Sequence, residues 1–185
     1  MGTRTDELCG YFEKVRARTR RVADCIPADH LEWTWAPGKF TLGDILRHLA
    51  GIERDMYAEN ALLRPSRYSG CGRELADGMD AVRAYIDRCH AEAMAIFRGL
   101  SNEDLERLCE TPAGAKLPVG KWLRLMIEHE IHHRGQLYMA LGILGVPTPP
   151  IYGLTSEQVR ERSVPRDAVS PKIEESPKIE ESPKI

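Results

Sequence analysis

Between Lys121 and Gly142 the chain reads KWLRLMIEHEIHHRGQLYMALG, and this stretch restricts the fold more than any other. Trp122, Met126, Leu137, Ala140 and Leu144 recur at about 3.6 residues, the period at which one side of an α-helix meets a core. The stripe runs through positions 129 and 133, so His129 and His133 point inward with it. Three of the chain's six histidines, His129, His132 and His133, fall inside five residues. Side chains four apart stand one above the other, about 6 Å along the axis, which lets two imidazoles reach one metal ion. His132 lies about 100° round the helix from His129, on a more polar flank with Glu128, and reads as a neighbour of the pair. Buried imidazoles must satisfy their polar edges, and two at this spacing favour a shared cation over two separate core histidines.

The same period marks three further helices. Leu8, Phe12, Val15, Thr19, Val22 and Ile26 predict a helix over Thr5 to Cys25, stopped by Pro27. A loop comes next, in which Trp33 and Trp35 are expected to cap the core. Thr41 with Asp44 opens a second helix to about Leu63, whose stripe is Leu42, Ile45, Leu49, Ile52, Met56 and Leu63. His48 falls on that stripe and points inward from a different helix, while Glu53 and Glu59 read as exposed. After a loop over Arg64 to Arg73 with Cys71 in its middle, Met79, Val82, Ile86, Cys89, Ala93, Phe97 and Leu100 trace a third helix over about Leu75 to Gly99. His90 lies off that stripe and is expected at the surface. Ser101 with Asp104 starts a short turn, Thr111 to Pro118 makes a loop or small hairpin, and Thr155 to Arg162 forms one or two turns beyond the break at Gly145, Pro147, Pro149 and Pro150.

The expected fold is therefore all-α, a four-helix bundle of up-and-down type with a short extra hairpin and a flexible C-terminal tail. The bundle domain is assigned to residues 1–165 and the tail to residues 166–185, where SPKIEE repeats from Ser170 and the recurring proline forbids a regular helix.

Composition removes several function classes. Lys and Arg number 26 against 28 Asp and Glu, a net charge of −2, which makes no case for nucleic acid or an acidic membrane. The local run Lys14, Arg16, Arg18, Arg20 and Arg21 reads as a solvated helix face. Five cysteines without a CxxC pair point to reduced thiols and a cytoplasmic protein. No apolar run approaches the roughly 18 residues a membrane span needs, and residues 1–30 hold no signal-peptide core. Residues 129–133 also spell H-E-x-x-H, which would make Glu130 the general base of a zinc protease. The extended form of that motif wants Gly and His where this chain has Gln136 and Met139, and a later glutamate ligand would have to be Glu157, beyond the prolines.

The segments GDILRHLAGIERDMY around His48 and KWLRLMIEHEIHHRGQLYMALGILGVPTPP around His129 and His133, within a helical pattern over about residues 5–155, resemble the DinB family of helical bundles, the DinB/YfiT-like metalloenzymes. The resemblance implies a metal site on His48, His129 and His133, a divalent ion with zinc or nickel foremost, and a homodimer. It also implies a thiol S-transferase that joins a low-molecular-weight thiol, bacillithiol or a relative, to an electrophile. A metal-dependent hydrolase and a non-catalytic metal-binding or dimerising bundle are the alternatives. Three histidines leave a coordination position for water or substrate, the arrangement of a catalytic site, and a cation there would draw the proton from a bound thiol or water near neutral pH. Gln136, three residues after His133, lies on the ligand face and is expected to orient the bound group or an imidazole. Asp44, one turn before His48, is a candidate acceptor for a ring N–H. Three imidazoles suit zinc, nickel, iron and copper alike, so the metal stays open.

Overall fold

The computed structural model describes residues 3–164, and the helices expected from the period form with ends set by local chemistry. Thr3 and Asp6 cap each other's backbone amides at the start of α1, Arg4–Ala23, and Thr41 and Asp44 do the same for α2, Leu42–Ile52. The second expected helix is not uniform. A π turn over Glu53–Tyr57 comes after α2 and leads into α3, Ala58–Ala61. Such a turn holds one extra residue and rotates the downstream residues about the axis, so the expected stripe does not continue to its end. Leu63 is exposed, with φ 59, while Glu53, Glu59 and Asn60 are buried.

The third long helix, α4, Met79–Arg98, starts four residues later than the leucine at 75 suggested, because Gly78 in the left-handed region, φ 82, precedes it. A 3-10 turn over Asp104–Glu106 and an antiparallel hairpin of β1, Leu108–Glu110, and β2, Lys116–Pro118, with Leu108 opposite Pro118, supply the small extra element. The histidine helix is α5, Val119–Ile143. It closes at Gly145, φ 71, where the Val146 amide donates to the Leu141 carbonyl at 2.9 Å. The chain divides into one unit through Pro149 and a second from Pro150, in which Thr155 and Gln158 cap α6, Ser156–Arg162. The division expected near residue 165 and the SPKIEE repeat lie outside the described residues. No helix among the described residues is long and apolar enough to cross a membrane.

Both α1 and α2 pack against α4 and α5, so the first two long helices lie across the bundle from each other. The long connection over residues 24–41 spans that diagonal, as crossover connections do in bundles. Phe12, Val15, Met56, Phe97, Leu123 and Met126 meet in the middle.

Several polar side chains are placed where the period of a single helix did not put them. Arg16 is not part of a solvated face: it is buried, and its guanidinium pairs with buried Glu53 and, at 2.8 Å, with buried Glu130. His90, expected at the surface, is half-buried, with its Nδ1 2.8 Å from Glu53. Glu59 is buried against Arg54 at 2.6 Å and Arg67 at 2.8 Å. Each of these partners comes from another element or beyond the next turn, which is what makes the burial of a charge tolerable. Of the two loop tryptophans, Trp33 is half-buried while Trp35 is exposed, so only one caps anything.

A second buried arginine organises the loops. Arg47 is fully buried, its guanidinium donating to Glu32 at 2.9 Å, to the Cys71 carbonyl at 2.9 Å and to the Ala76 carbonyl at 3.2 Å. One side chain thus ties the loop before α2 and the loop after α3 to the helix that carries His48. A Cβ at Gly43 would stand 2.9 Å from the guanidinium nitrogens and from Glu32 Oε1, so a side chain there would push this pair aside.

Removing Arg16 leaves two buried carboxylates without their cation. Arg16→Ala is expected to lose about 3–5 kcal/mol in urea unfolding, whereas Lys14→Ala on the exposed side of α1 should stay within about 0.5 kcal/mol. Equal, small losses would show the cluster to be dispensable.

Candidate metal centre

His48 comes from α2 and His129 and His133 from α5, and the packing of these two helices brings the three rings together. The Nε2 atoms of His48 and His129 are 3.2 Å apart, those of His133 and His129 3.0 Å, and one ring nitrogen from each residue lies within 4.8 Å of the others. Four-coordinate zinc with nitrogen bonds of about 2.0–2.1 Å holds two such nitrogens roughly 3.3 Å apart. The triad is positioned for a metal ion, and the donor set fits a divalent cation. Among the described residues no cysteine or carboxylate joins it.

The outer edges of two rings are anchored. The Nδ1 of His133 lies 2.7 Å from Gln136 Oε1, an oxygen that can only accept, so the proton sits on Nδ1 and the Nε2 lone pair faces the other histidines. The amide nitrogen of Gln136 lies 3.1 Å from Nε2 of exposed His132, which stands beside the triad and does not enter it. The Nδ1 of His48 is 2.6 Å from the Tyr68 hydroxyl. This replaces the expected Asp44 contact, because the Asp44 carboxylate is already committed to the Thr41 amide at 3.0 Å and to Arg47 at 3.1 Å. Tyr68 lies in the loop after α3, where no periodic signal assigns a direction to a side chain. The arginine clamp on that loop is what delivers it.

Burial, and then the neighbouring His133, pulls the His48 imidazole down to about 4. Burial, followed by the other histidines, does the same to His129, also to about 4, and burial lowers His133 against the opposing bond from Gln136. All three are therefore neutral at pH 7, the form that ligates. Aromatic rings wall the site: Phe40 has its centroid 5.4 Å from that of His48 and 6.3 Å from that of His133, and Tyr57 is 6.2 Å from His129.

Glu130 is turned away. It pairs with Arg16 on the α1 side of the helix, about 100° round from His129, so the H-E-x-x-H reading has no base at the rings. Burial pushes its carboxyl up, with Arg16 opposing.

Comparison with known proteins agrees with this architecture. The sequence profile of the DinB superfamily matches residues 11–137. YjoA of Bacillus subtilis (strain 168), an uncharacterized protein, is 21% identical over 150 residues, covering 80% of this chain and 96% of YjoA. Its crystal structure, that of a DinB-like protein, superposes with a TM-score of 0.66. YfiT from Bacillus subtilis, described as a probable metal-dependent hydrolase with an unusual four-helix bundle topology, is 18% identical with a TM-score of 0.64, covering 80% of this chain and 92% of YfiT. A mycothiol-dependent maleylpyruvate isomerase is 18% identical with a TM-score of 0.55, over 74% of this chain and 63% of the isomerase. At these identities the structural likeness is one of fold, but the profile spans most of the bundle, including all three inward histidines, and on that match the chain belongs to the DinB superfamily.

Proposed function

We propose that this protein is a metal-dependent thiol S-transferase, with one divalent cation, zinc or nickel, held by His48, His129 and His133. The observation that carries the reading is the convergence of three neutral imidazole nitrogens from two helices with no carboxylate among them. When bound, such a cation supplies Lewis acidity and brings the pKa of a coordinated thiol or water close to neutral. The protein's own part is to present three uncharged ligands, so that an incoming anion is not repelled by a resident one. Gln136 and Tyr68 decide which ring nitrogen of His133 and His48 faces the site, and so keep the lone pairs converging. Phe40 and Tyr57 limit water around the rings.

Thiol chemistry suits the site better than hydrolysis for a specific reason. A sulfur nucleophile needs only to lose its proton to solvent; its lone pair then forms the new S–C bond as the acceptor's carbon–leaving-group bond breaks and the leaving group departs with that electron pair. Water attack, by contrast, profits from a nearby general base, and Glu130 is engaged elsewhere. The mycothiol-dependent isomerase shares the fold, which supports a thiol partner. Metal-dependent hydrolysis is the second reading, favoured by the description of YfiT.

The first test is elemental analysis of the protein and of His129→Ala. About one equivalent of metal is expected for the parent and under a tenth of that for the variant at unchanged helicity. With a panel of low-molecular-weight thiols and an electrophilic acceptor, the loaded parent should form thioether. Acceptor cleavage without thiol incorporation would move the assignment to the hydrolase, and full metal retention by His129→Ala would remove the ligand set.

Acid should affect the two forms differently. The imidazoles of His48 and His129 titrate at about 4 in the fold, below the ordinary value of about 6.5. Between these values the unfolded chain binds protons that the folded chain does not, so the melting temperature of the metal-free protein should fall as pH drops from about 7 towards about 5. Metal affinity should change less than about tenfold over the same range, where three ordinary exposed imidazoles would lose more than a hundredfold. Calorimetry at the two pH values measures both.

Gln136→Leu removes the acceptor for His133 Nδ1 while leaving the three rings in place. A drop of about 10–100-fold in metal affinity is expected by competition with a chromophoric chelator, with no change in melting temperature of the metal-free protein beyond about 2 °C.

A further inference from the structure

Beside the histidines, large apolar side chains that remain in water gather in one place. Trp35 is 61% exposed, Phe40 44%, Met139 66% and Ile143 63%. With Trp33 they line a cavity of about 540 Å³ that ends on His133 and Gln136. Contiguous exposed apolar area of this kind is unfavourable in water and marks a place where a ligand is taken up, and the volume is that of a small-molecule site.

The wall is prepared in advance. The loop that carries Trp33, Trp35 and Phe40 is pinned to α2 by the Gly43 amide on the Leu31 carbonyl at 2.6 Å, by the Leu42 amide on the Trp33 carbonyl at 3.1 Å, and by Arg47 on Glu32. Its charge is equally defined. The lining contains no aspartate or glutamate and a single lysine, Lys39, whose ammonium lies 5.8 Å from the centroid of the Trp35 ring. Among the described residues Lys39 is paired with no carboxylate. A cation held over an aromatic face at the mouth of an apolar cavity has its positive charge available to an anion.

We infer that this cavity is the acceptor subsite, built for an electrophile with a flat aromatic body and an anionic group. The body lies between the loop aromatics and the Met139 and Ile143 side chains of α5, with its anion at Lys39 and its reactive end towards His133. The role as acceptor rests on the thiol-transfer reading, while the binding preference stands independently of it. A cationic amphiphile finds no acid in the lining and is repelled by Lys39.

Isothermal titration calorimetry on the full chain, zinc-loaded and after chelation, tests this with naphthalene-2-sulfonate and 2-naphthylmethylammonium, which share a ring system and differ in charge. Sulfonate is a weak zinc ligand, so its binding reports on the cavity. Naphthalene-2-sulfonate is expected to bind at least tenfold more tightly than the ammonium compound in both forms. Lys39→Glu should reverse that order, and the double variant Met139→Gln with Ile143→Gln should weaken the sulfonate at least tenfold. All these side chains are exposed and none is a histidine of the triad, so zinc binding should match the parent.

Equal affinity for the two probes, or an unchanged order in Lys39→Glu, overturns the anionic assignment. Absence of sulfonate binding overturns the subsite. A parent that sediments as a dimer, dissociates in the double variant and binds no sulfonate would give the face to a second copy of the chain and likewise overturn it. Sulfonate binding by a parent that takes up no zinc would support the cavity and sink the metal reading alone.

Discussion

Arg16 reaches from α1 into the interior, where its guanidinium meets the carboxylates of Glu53 and Glu130 and so joins α1, the π turn and α5. Burying three charges is unfavourable unless their geometry is complementary, and the cluster therefore holds these elements in one relative rotation. On α5 that rotation has a direct consequence. Glu130 faces α1, as does buried Arg134, which donates to the Val15 carbonyl at 3.3 Å. His129 and His133 are left to face α2, where they meet His48. The ionic cluster and the triad are thus two sides of one helix, and neither can turn without the other.

Rigid and irregular parts divide the work around the triad. Helices hold the three ring nitrogens, which tolerate little displacement if they are to share a cation. Loops supply the surroundings: Tyr68 from the segment after α3, and Phe40 with the tryptophans from the segment before α2. Arg47 gathers both loops, one residue away from His48, so the walls of the site are referenced to the helix that bears that imidazole. The crossing of the bundle by residues 24–41 is also what leaves a long segment free to form the apolar wall. A shorter connection between neighbouring helices would have no residues to spare for it.

Three imidazoles neutral at pH 7 and an adjoining apolar cavity with one lysine in its lining stand together along one side of α5, with the acid Glu130 turned away from them. Loops set on a rigid scaffold are where binding residues concentrate, and one wall of this cavity is carried by the loop before α2.

What could be read without coordinates is what depends on a single helix at a time. Apolar period, capping pairs such as Thr3 with Asp6 and Thr41 with Asp44, and glycine or proline stops are local, so the four long helices and the inward direction of His48, His129 and His133 were legible in the order of residues. Burial of Arg16, Glu53 and Glu59, and the half-burial of His90, were not, because a polar group is kept from water only when a partner on another element meets it, and no spacing within one helix encodes that partner. The same holds for Tyr68 in place of Asp44 behind His48, and for the π turn that ends the second stripe early. Local period sets the direction of a side chain, and only the packed tertiary structure, through the pairing of distant polar groups, decides what it meets there.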